Sequence, residues 1–156
     1  MNDTASIRAM TREDLPRIGE LVDANQMFPS EMLPDMTAPF FEGEAEAHRW
    51  IVFDDGQLSG VAYTVPEAMT DGAWNTLLIC VDPARHGAGI GARLMQHIEA
   101  DLASGGGRIL LVETSGKPEF ERTRGFYDML GYEREARIRD YYEAGDDKVV
   151  FRKALG

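Results

Sequence analysis

The sequence of 156 residues contains a single cysteine, Cys80. One cysteine excludes an internal disulfide and any metal site built on several thiolates. Histidine is scarce too, and His48, His86 and His97 show no ligand spacing, so no structural metal is expected. No apolar run approaches the roughly 20 residues that a membrane helix needs. The opening MNDTASIRAM has neither a basic stretch nor an apolar one, so a signal peptide is not expected and a cytoplasmic location is. Basic residues are few: 16 Lys and Arg stand against 27 Asp and Glu, for a formal net charge of −11. That balance argues against nucleic acid, whose phosphates are met by clustered Lys and Arg. It suits either a cationic substrate or simply a solvated acidic surface. Repeats and low-complexity tracts are also missing.

What is present reads as one domain over residues 1–156, long enough to bury a core. Ser6–Thr11 alternates weakly and reads as a strand. Thr11 looks like an N-cap with Asp14 three residues on, and Leu15, Ile18, Leu21 and Val22 then mark one helix face up to about Asn25. Met27–Ala47 carries Pro29, Pro34 and Pro39 and reads as a broken helical or loop region. Trp50–Phe53, Asp55-Gly56 and Leu58–Val65 read as a hairpin, and Trp74–Val81 follows the Asp71-Gly72 turn as a third antiparallel strand. A helix with Ile90, Leu94, Ile98 and Leu102 on one stripe comes next and ends at Ser104–Gly107. Arg108–Thr114 reads as a buried strand, parallel to Trp74–Val81 because a helix crossover precedes it. A helix over Pro118–Leu130 is closed by Gly131. Strands over Tyr132–Tyr142 and Lys148–Lys153, joined through Ala144–Asp147, complete a mixed α/β (α+β) chain.

The most informative stretch is Leu77–Leu94, LLICVDPARHGAGIGARL. A strand runs into Asp82-Pro83, then Gly87, Gly89 and Gly91, then a helix. Glycines let the backbone come close to a ligand, and the first-turn N–H groups point outward without intrahelical partners. The helix dipole adds positive character there, so the stretch forms an anion site suited to a phosphate-bearing cofactor. Gly87–Ala92 also fits the dinucleotide fingerprint G-x-G-x-x-G/A, with Glu113 near the ribose position about 20 residues on. The dinucleotide reading is rejected on three counts. Asp82–His86 separates the strand from the first glycine, antiparallel hairpins precede the unit, and too few residues follow for the second half of a doubly wound sheet.

His86–Gly91 after the Val-Asp-Pro strand end resembles the acyl-CoA loop of the GNAT N-acetyltransferase superfamily, whose pattern is Gln/Arg-x-x-Gly-x-Gly/Ala. Gly125–Tyr132, GFYDMLGY, is similar to that family's F-Y-x-x-x-G-F/Y segment, and the two lie in the family's order. The chain departs at His86, where the family has Gln or Arg, though Arg85 stands beside it. It also departs at Phe120, seven residues before Tyr127, where the family often has Asn. The resemblance implies a central, mostly antiparallel mixed sheet, flanked by helices, with a splay between two parallel central strands. It implies acetyl-CoA as co-substrate and no metal. The pyrophosphate would lie on Arg85, His86, Gly87, Ala88, Gly89, Ile90, Gly91 and Ala92. The backbones of Ile79 and Val81 would receive pantetheine, with the Ile79 N–H polarising the thioester carbonyl. Tyr127 would protonate the leaving thiolate. Homodimers are common in the family.

Direct transfer needs a neutral amine, so a carboxylate or a water must take its proton. Glu113, at the end of its strand, is the first candidate, and Asn75 could hold a relay water. Arg137 and Arg139 alternate along a late strand beside Asp140 and Tyr141 and could line a pocket for a small amino-acid-like amine, although two exposed arginines on an edge strand fit the same pattern. Cys80 reads as a small buried residue and not as a nucleophile. His97 falls off the apolar stripe of its helix and reads as a surface residue. The expected function is direct, acetyl-CoA-dependent acetylation of a small-molecule primary amine, without membrane or nucleic-acid partners. The alternative is a catalytically idle acyl-CoA-binding sensor or partner-binding module.

Overall fold

The computed structural model describes residues 6–44 and 47–156. The elements are β1 (Ile7–Ala9), α1 (Leu15–Ala24), α2 (Leu33–Phe41), β2 (Arg49–Asp54), β3 (Leu58–Pro66), β4 (Ala73–Val81), α3 (Ile90–Ser104), β5 (Ile109–Ser115), α4 (Glu121–Met129), β6 (Glu133–Glu143) and β7 (Asp146–Ala154). Hydrogen bonding orders the strands β1-β2-β3-β4-β5-β7-β6. β4 and β5 are parallel. The pairs β1–β2, β2–β3, β5–β7 and β6–β7 are antiparallel. This is the mixed, mostly antiparallel α/β class that the sequence implied. The chain divides into two compact units, Met1–Val65 with Leu78–Ala100, and Pro66–Leu77 with Asp101–Gly156.

In the first unit, strand alternation builds two apolar clusters. Trp50 and Val52 of β2 and Leu78 and Cys80 of β4 join Ile18, Leu21 and Val22 of α1 and Leu33 of α2. The intervening residues, Ile51 and Phe53 on β2 and Ile79 and Val81 on β4, pack with Ile90 and Leu94 of α3. The period of two along a strand makes this division. Gly60 lets α3 approach: a Cβ there would lie 3.0 Å from both Ile90 Cγ2 and Leu94 Cδ1. Trp50 stacks on its cross-strand partner Tyr63 with ring centroids 4.2 Å apart. At the start of α1, Asp14 closes back on the Thr11 N–H at 2.8 Å and takes two hydrogen bonds from Arg8, at 2.8 and 3.0 Å.

The proline-rich segment takes the broken helical form of the two that were expected, over its described residues. Ser30–Met32 forms a short 3-10 turn and α2 follows. Pro34 sits in the first turn, where its missing N–H costs nothing. Only Leu33 and Thr37, one helical turn apart, are buried on α2, too few to print a visible period.

In the second unit, β5 lies between the N-terminal half of β4 and β7, and Leu110, Val112, Val149 and Phe151 are buried. From α4, Arg124 is buried and donates to the carbonyls of Ser115 (2.7 Å) and Lys117 (2.8 Å), fixing the chain as it leaves β5. β6 is an edge strand, exposed along its whole length. The turn before β7 is shorter than expected, because Asp146 and Asp147 belong to the strand.

Candidate active site

The segment after β4 is braced before its helix begins. Asp82 accepts from the Ala84 N–H (2.9 Å) and from Arg17 (2.8 Å), and this pairing holds its carboxyl below the ordinary carboxylate range. Arg85 takes both oxygens of Asp55, at 3.0 and 2.8 Å, and the hydroxyl of Ser59 at 2.9 Å. Its guanidinium therefore ties the loop to the β2–β3 hairpin. His86 Nε2 lies 3.0 Å from the Val81 carbonyl, which also accepts from Asn25 at 3.0 Å.

Gly87 and Gly89 have φ values of +87° and +83°, a region costly for residues with a Cβ. Nothing lies within 4 Å of where a Cβ would stand at either, so what demands glycine here is the backbone and not crowding. The helical ladder is joined by the Arg93 N–H bonding to the Gly89 carbonyl at 3.1 Å. The N–H groups of Ile90, Gly91 and Ala92 in the turn before it have no intrahelical acceptor. Exposed glycines, free first-turn donors and a helix of 15 residues together suit a pyrophosphate.

The parallel ladder between β4 and β5 covers Ala73–Thr76 against Ile109–Val112, although β4 runs on to Val81. Leu77 is exposed, and Ile79 and Val81 are half-buried. Cys80 is enclosed, accepts from Asn25 at 3.1 Å and donates to the Leu21 carbonyl at 3.3 Å; burial pushes its thiol up to about 12. It carries no thiolate at neutral pH and serves as core.

The second unit gathers a polar group around β5. Leu111 is the register partner of Asn75, and Val150 of Glu113. Alternation then puts Asn75, Glu113 and Lys148 on one face. The Asn75 amide donates to Glu113 Oε1 at 2.7 Å and to Glu67 Oε1 at 2.9 Å. Glu113 Oε2 meets the Lys148 ammonium in an ion pair. Burial is the largest single influence on the Lys148 pKa and lowers it, but the hydrogen bond and charge of Glu113, joined by those of Tyr141, together outweigh it and the net shift is upward. The Lys148 Nζ also sits 4.1 Å from the centroid of the Tyr141 ring.

Of the residues proposed for the site, then, Asn75, Glu113 and Tyr141 come together. Glu67 and Lys148 join them unannounced. Lys148 could have been found from the β5–β7 register, and Glu67 from reading the Asp71-Gly72 turn as closing Glu67 against Ala73, whose carbonyl accepts the Glu67 N–H at 2.8 Å.

Tyr127 is buried, its ring near those of Phe126, Tyr132 and Phe151 at 5.2, 5.9 and 5.3 Å, and burial raises its pKa. Arg137 is paired with Asp147 at 2.6 Å. Asp140 has φ +54° at the irregularity in the β6–β7 register, and its carboxylate accepts the Gly145 N–H at 2.8 Å, bracing the turn that follows β6. Arg139 stands exposed on β6. These three thus do not form a shared fork.

Residues 45–134 match the family model for the GNAT acetyltransferase domain. Among solved structures, a candidate acetyltransferase of the GNAT family from Desulfovibrio desulfuricans is 27% identical, with 96% of this chain and 98% of that chain covered and a TM-score of 0.88. The ribosomal-protein-S18-alanine N-acetyltransferase from Escherichia coli is 19% identical (96% and 93% covered, TM-score 0.76). A Salmonella typhimurium protein solved with its cofactor acetyl-CoA is 15% identical (96% and 93% covered, TM-score 0.74). The last two likenesses concern the fold. The match to the domain model covers the glycine loop, the interrupted parallel ladder and the helix that carries Tyr127, and this chain belongs to the GNAT acetyltransferase family.

Proposed function

We propose that the protein is an acetyl-CoA-dependent N-acetyltransferase that passes the acetyl group directly to a primary amine of a small molecule. The observation that carries this reading is the glycine loop. Two glycines at positive φ open onto a helix start, braced from outside by Arg17 and Arg85. Arg85 is committed to Asp55, so the pyrophosphate is assigned to the backbone donors of Gly87–Ala92, with His86 at their edge.

Acetyl-CoA supplies the activated acetyl group as a thioester. The Ile79 N–H would polarise its carbonyl. Glu113 would take one proton from the incoming ammonium, freeing the nitrogen lone pair to form the C–N bond. The C–S bond would break as the sulfur takes a proton from the Tyr127 phenol; the nitrogen's second proton would pass through water to the phenolate left there, restoring the phenol as the amide forms, and Glu113 would release its proton to solvent. Burial keeps Tyr127 protonated at neutral pH, the state that a donor must hold. Cys80, buried and protonated, supports transfer without a covalent enzyme intermediate.

The second reading, an idle acyl-CoA-binding module, is favoured by one feature. Both oxygens of Glu113 already have partners, the Asn75 amide on one and the Lys148 ammonium on the other. Calorimetric titration with acetyl-CoA, followed by a thiol-release screen of amines that includes amino acids and their carboxamides, decides between the two. Binding with turnover supports the enzyme, binding without turnover supports the module, and absence of binding removes both.

A further inference from the structure

Of the nine residues of α4, Arg124 and Tyr127 are the buried ones. They lie three apart and so share one face of the helix. No side chain caps the start of α4. A helix this short is marginal alone, so its place is set by what that face touches.

Arg124 is 9% exposed and reaches back along the chain. Its Nη1 donates to the Ser115 carbonyl at 2.7 Å and to the Lys117 carbonyl at 2.8 Å. Ser115 ends β5, two residues beyond Glu113. A buried guanidinium costs more than an apolar side chain of its size, so filling space does not account for it. What it adds is direction. Two short charge-assisted bonds fix how far along, and at what rotation, α4 meets the end of β5.

Tyr127 depends on that placement. Its ring packs with those of Phe126, Tyr132 and Phe151. Its hydroxyl has no hydrogen-bond partner among the described residues. Beyond the ring packing, then, only the helix can hold the phenolic oxygen to the roughly 0.5 Å that productive geometry requires.

We propose that Arg124 is the positioning residue for Tyr127: by bonding the carbonyls of Ser115 and Lys117 it registers α4 on β5 and holds the phenol where the leaving sulfur takes its proton. The assignment rests on the reading of Tyr127 as proton donor. Arg124 acts through the helix and not on the reacting atoms.

A double-mutant cycle tests this. Arg124→Met keeps the bulk and removes the donors, and Arg124→Lys keeps a charged donor. Each is made in wild type and in Tyr127→Phe, and thiol release is measured well below the unfolding transition. In the wild-type background Arg124→Met should lower kcat roughly 10- to 100-fold, the cost of about 1 Å of misplacement. KM for acetyl-CoA should stay as it is, and Arg124→Lys should recover part of the loss. In the Tyr127→Phe background the same substitutions should change kcat less than about threefold, because the phenol that they displace is gone. The loss in Tm should be the same in both backgrounds. If Arg124→Met fails to fold, Arg124→Lys carries the cycle alone. An equal fall in kcat in the two backgrounds makes Arg124 structural and overturns the inference. An unchanged kcat in the wild-type background, with Tyr127→Phe slow, overturns it too and keeps Tyr127 as the donor. Tyr127→Phe as fast as wild type removes the donor, and absence of thiol release by wild type removes the enzyme; in both cases the inference falls with the reading beneath it.

Discussion

Asn75 and Glu113 meet at 2.7 Å across the β4–β5 pair, the amide donating and the carboxylate accepting. They lie 38 residues apart, and only the parallel register, Asn75 opposite Leu111 and Glu113 two residues further on, puts them on one face. With Lys148 on the other oxygen, Glu113 is held in place more firmly than a solvated strand-end carboxylate would be.

If Glu113 takes the amine proton, Glu113→Gln lowers kcat/KM most at neutral pH. The loss narrows as pH rises, because solution then supplies the free amine and the base becomes dispensable. The Lys148 ammonium, with its pKa raised, stays charged over that range and does not confound the profile. A loss of the same size at every pH assigns Glu113 to structure or binding.

Tyr127→Phe removes one hydroxyl and keeps the ring that packs with Tyr132 and Phe151. Stability should change little. As the proton donor, Tyr127 is worth roughly 10- to 10³-fold in kcat, and acetyl-CoA affinity should stay as it is. An unchanged kcat at saturating substrate makes Tyr127 a packing residue only.

Gly89→Val places a β-branched residue at φ +83°. The open space around that position means that no neighbour is struck, so the strain is confined to the backbone, at about 1–2 kcal/mol. Acetyl-CoA affinity, read by calorimetry, should fall at least about tenfold as the first-turn donors shift and a side chain enters the anion approach. Equal affinity in the two proteins removes the loop from the cofactor site.

The Arg8–Asp14 pair makes stability depend on acid. Hydrogen bonding from Arg8, with help from the Thr11 N–H, holds Asp14 below its ordinary value of 3.8 against the opposing effect of burial. A lowered pKa contributes stability above the unfolded value, and the contribution is lost as pH falls through the folded one. Asp14→Asn should therefore cost about 1–2 kcal/mol near pH 7, discounted because the Arg8 side chain is 40% exposed. Denaturant titrations should show the gap to wild type closing below about pH 4. A gap that stays constant down to pH 2 contradicts the assignment.

The element order, the parallel strand and the loop were legible because each has a local cause. Asp55-Gly56 marks a hairpin, the Ile90–Leu102 stripe marks a helix, and alternate glycines mark a backbone that must turn left. The short α2 was hidden because two buried residues give no period. The cluster at Glu113 was hidden for a different reason. Lys148 and Glu67 reach it through strand register and turn closure, which are properties of pairs of segments. The same limit explains Arg137 and Arg139: alternation correctly placed both on one strand, but whether their charges are free depends on Asp147, ten residues from Arg137.

The salt bridges behind the glycine loop bear on how quickly a ligand is captured. Arg17 fixes Asp82, Arg85 fixes Asp55 and Ser59, and His86 bonds back to Val81, so the turn is already shaped by contacts that face away from its own donors. The conformational entropy of the turn has been given up during folding, so a ligand taken there would not have to order it. Association should therefore follow one concentration-dependent phase, without a slow isomerisation after encounter. If the turn takes the pyrophosphate, loosening the brace at Asp55, which holds Arg85 from outside the glycine turn, should slow capture more than it hastens release.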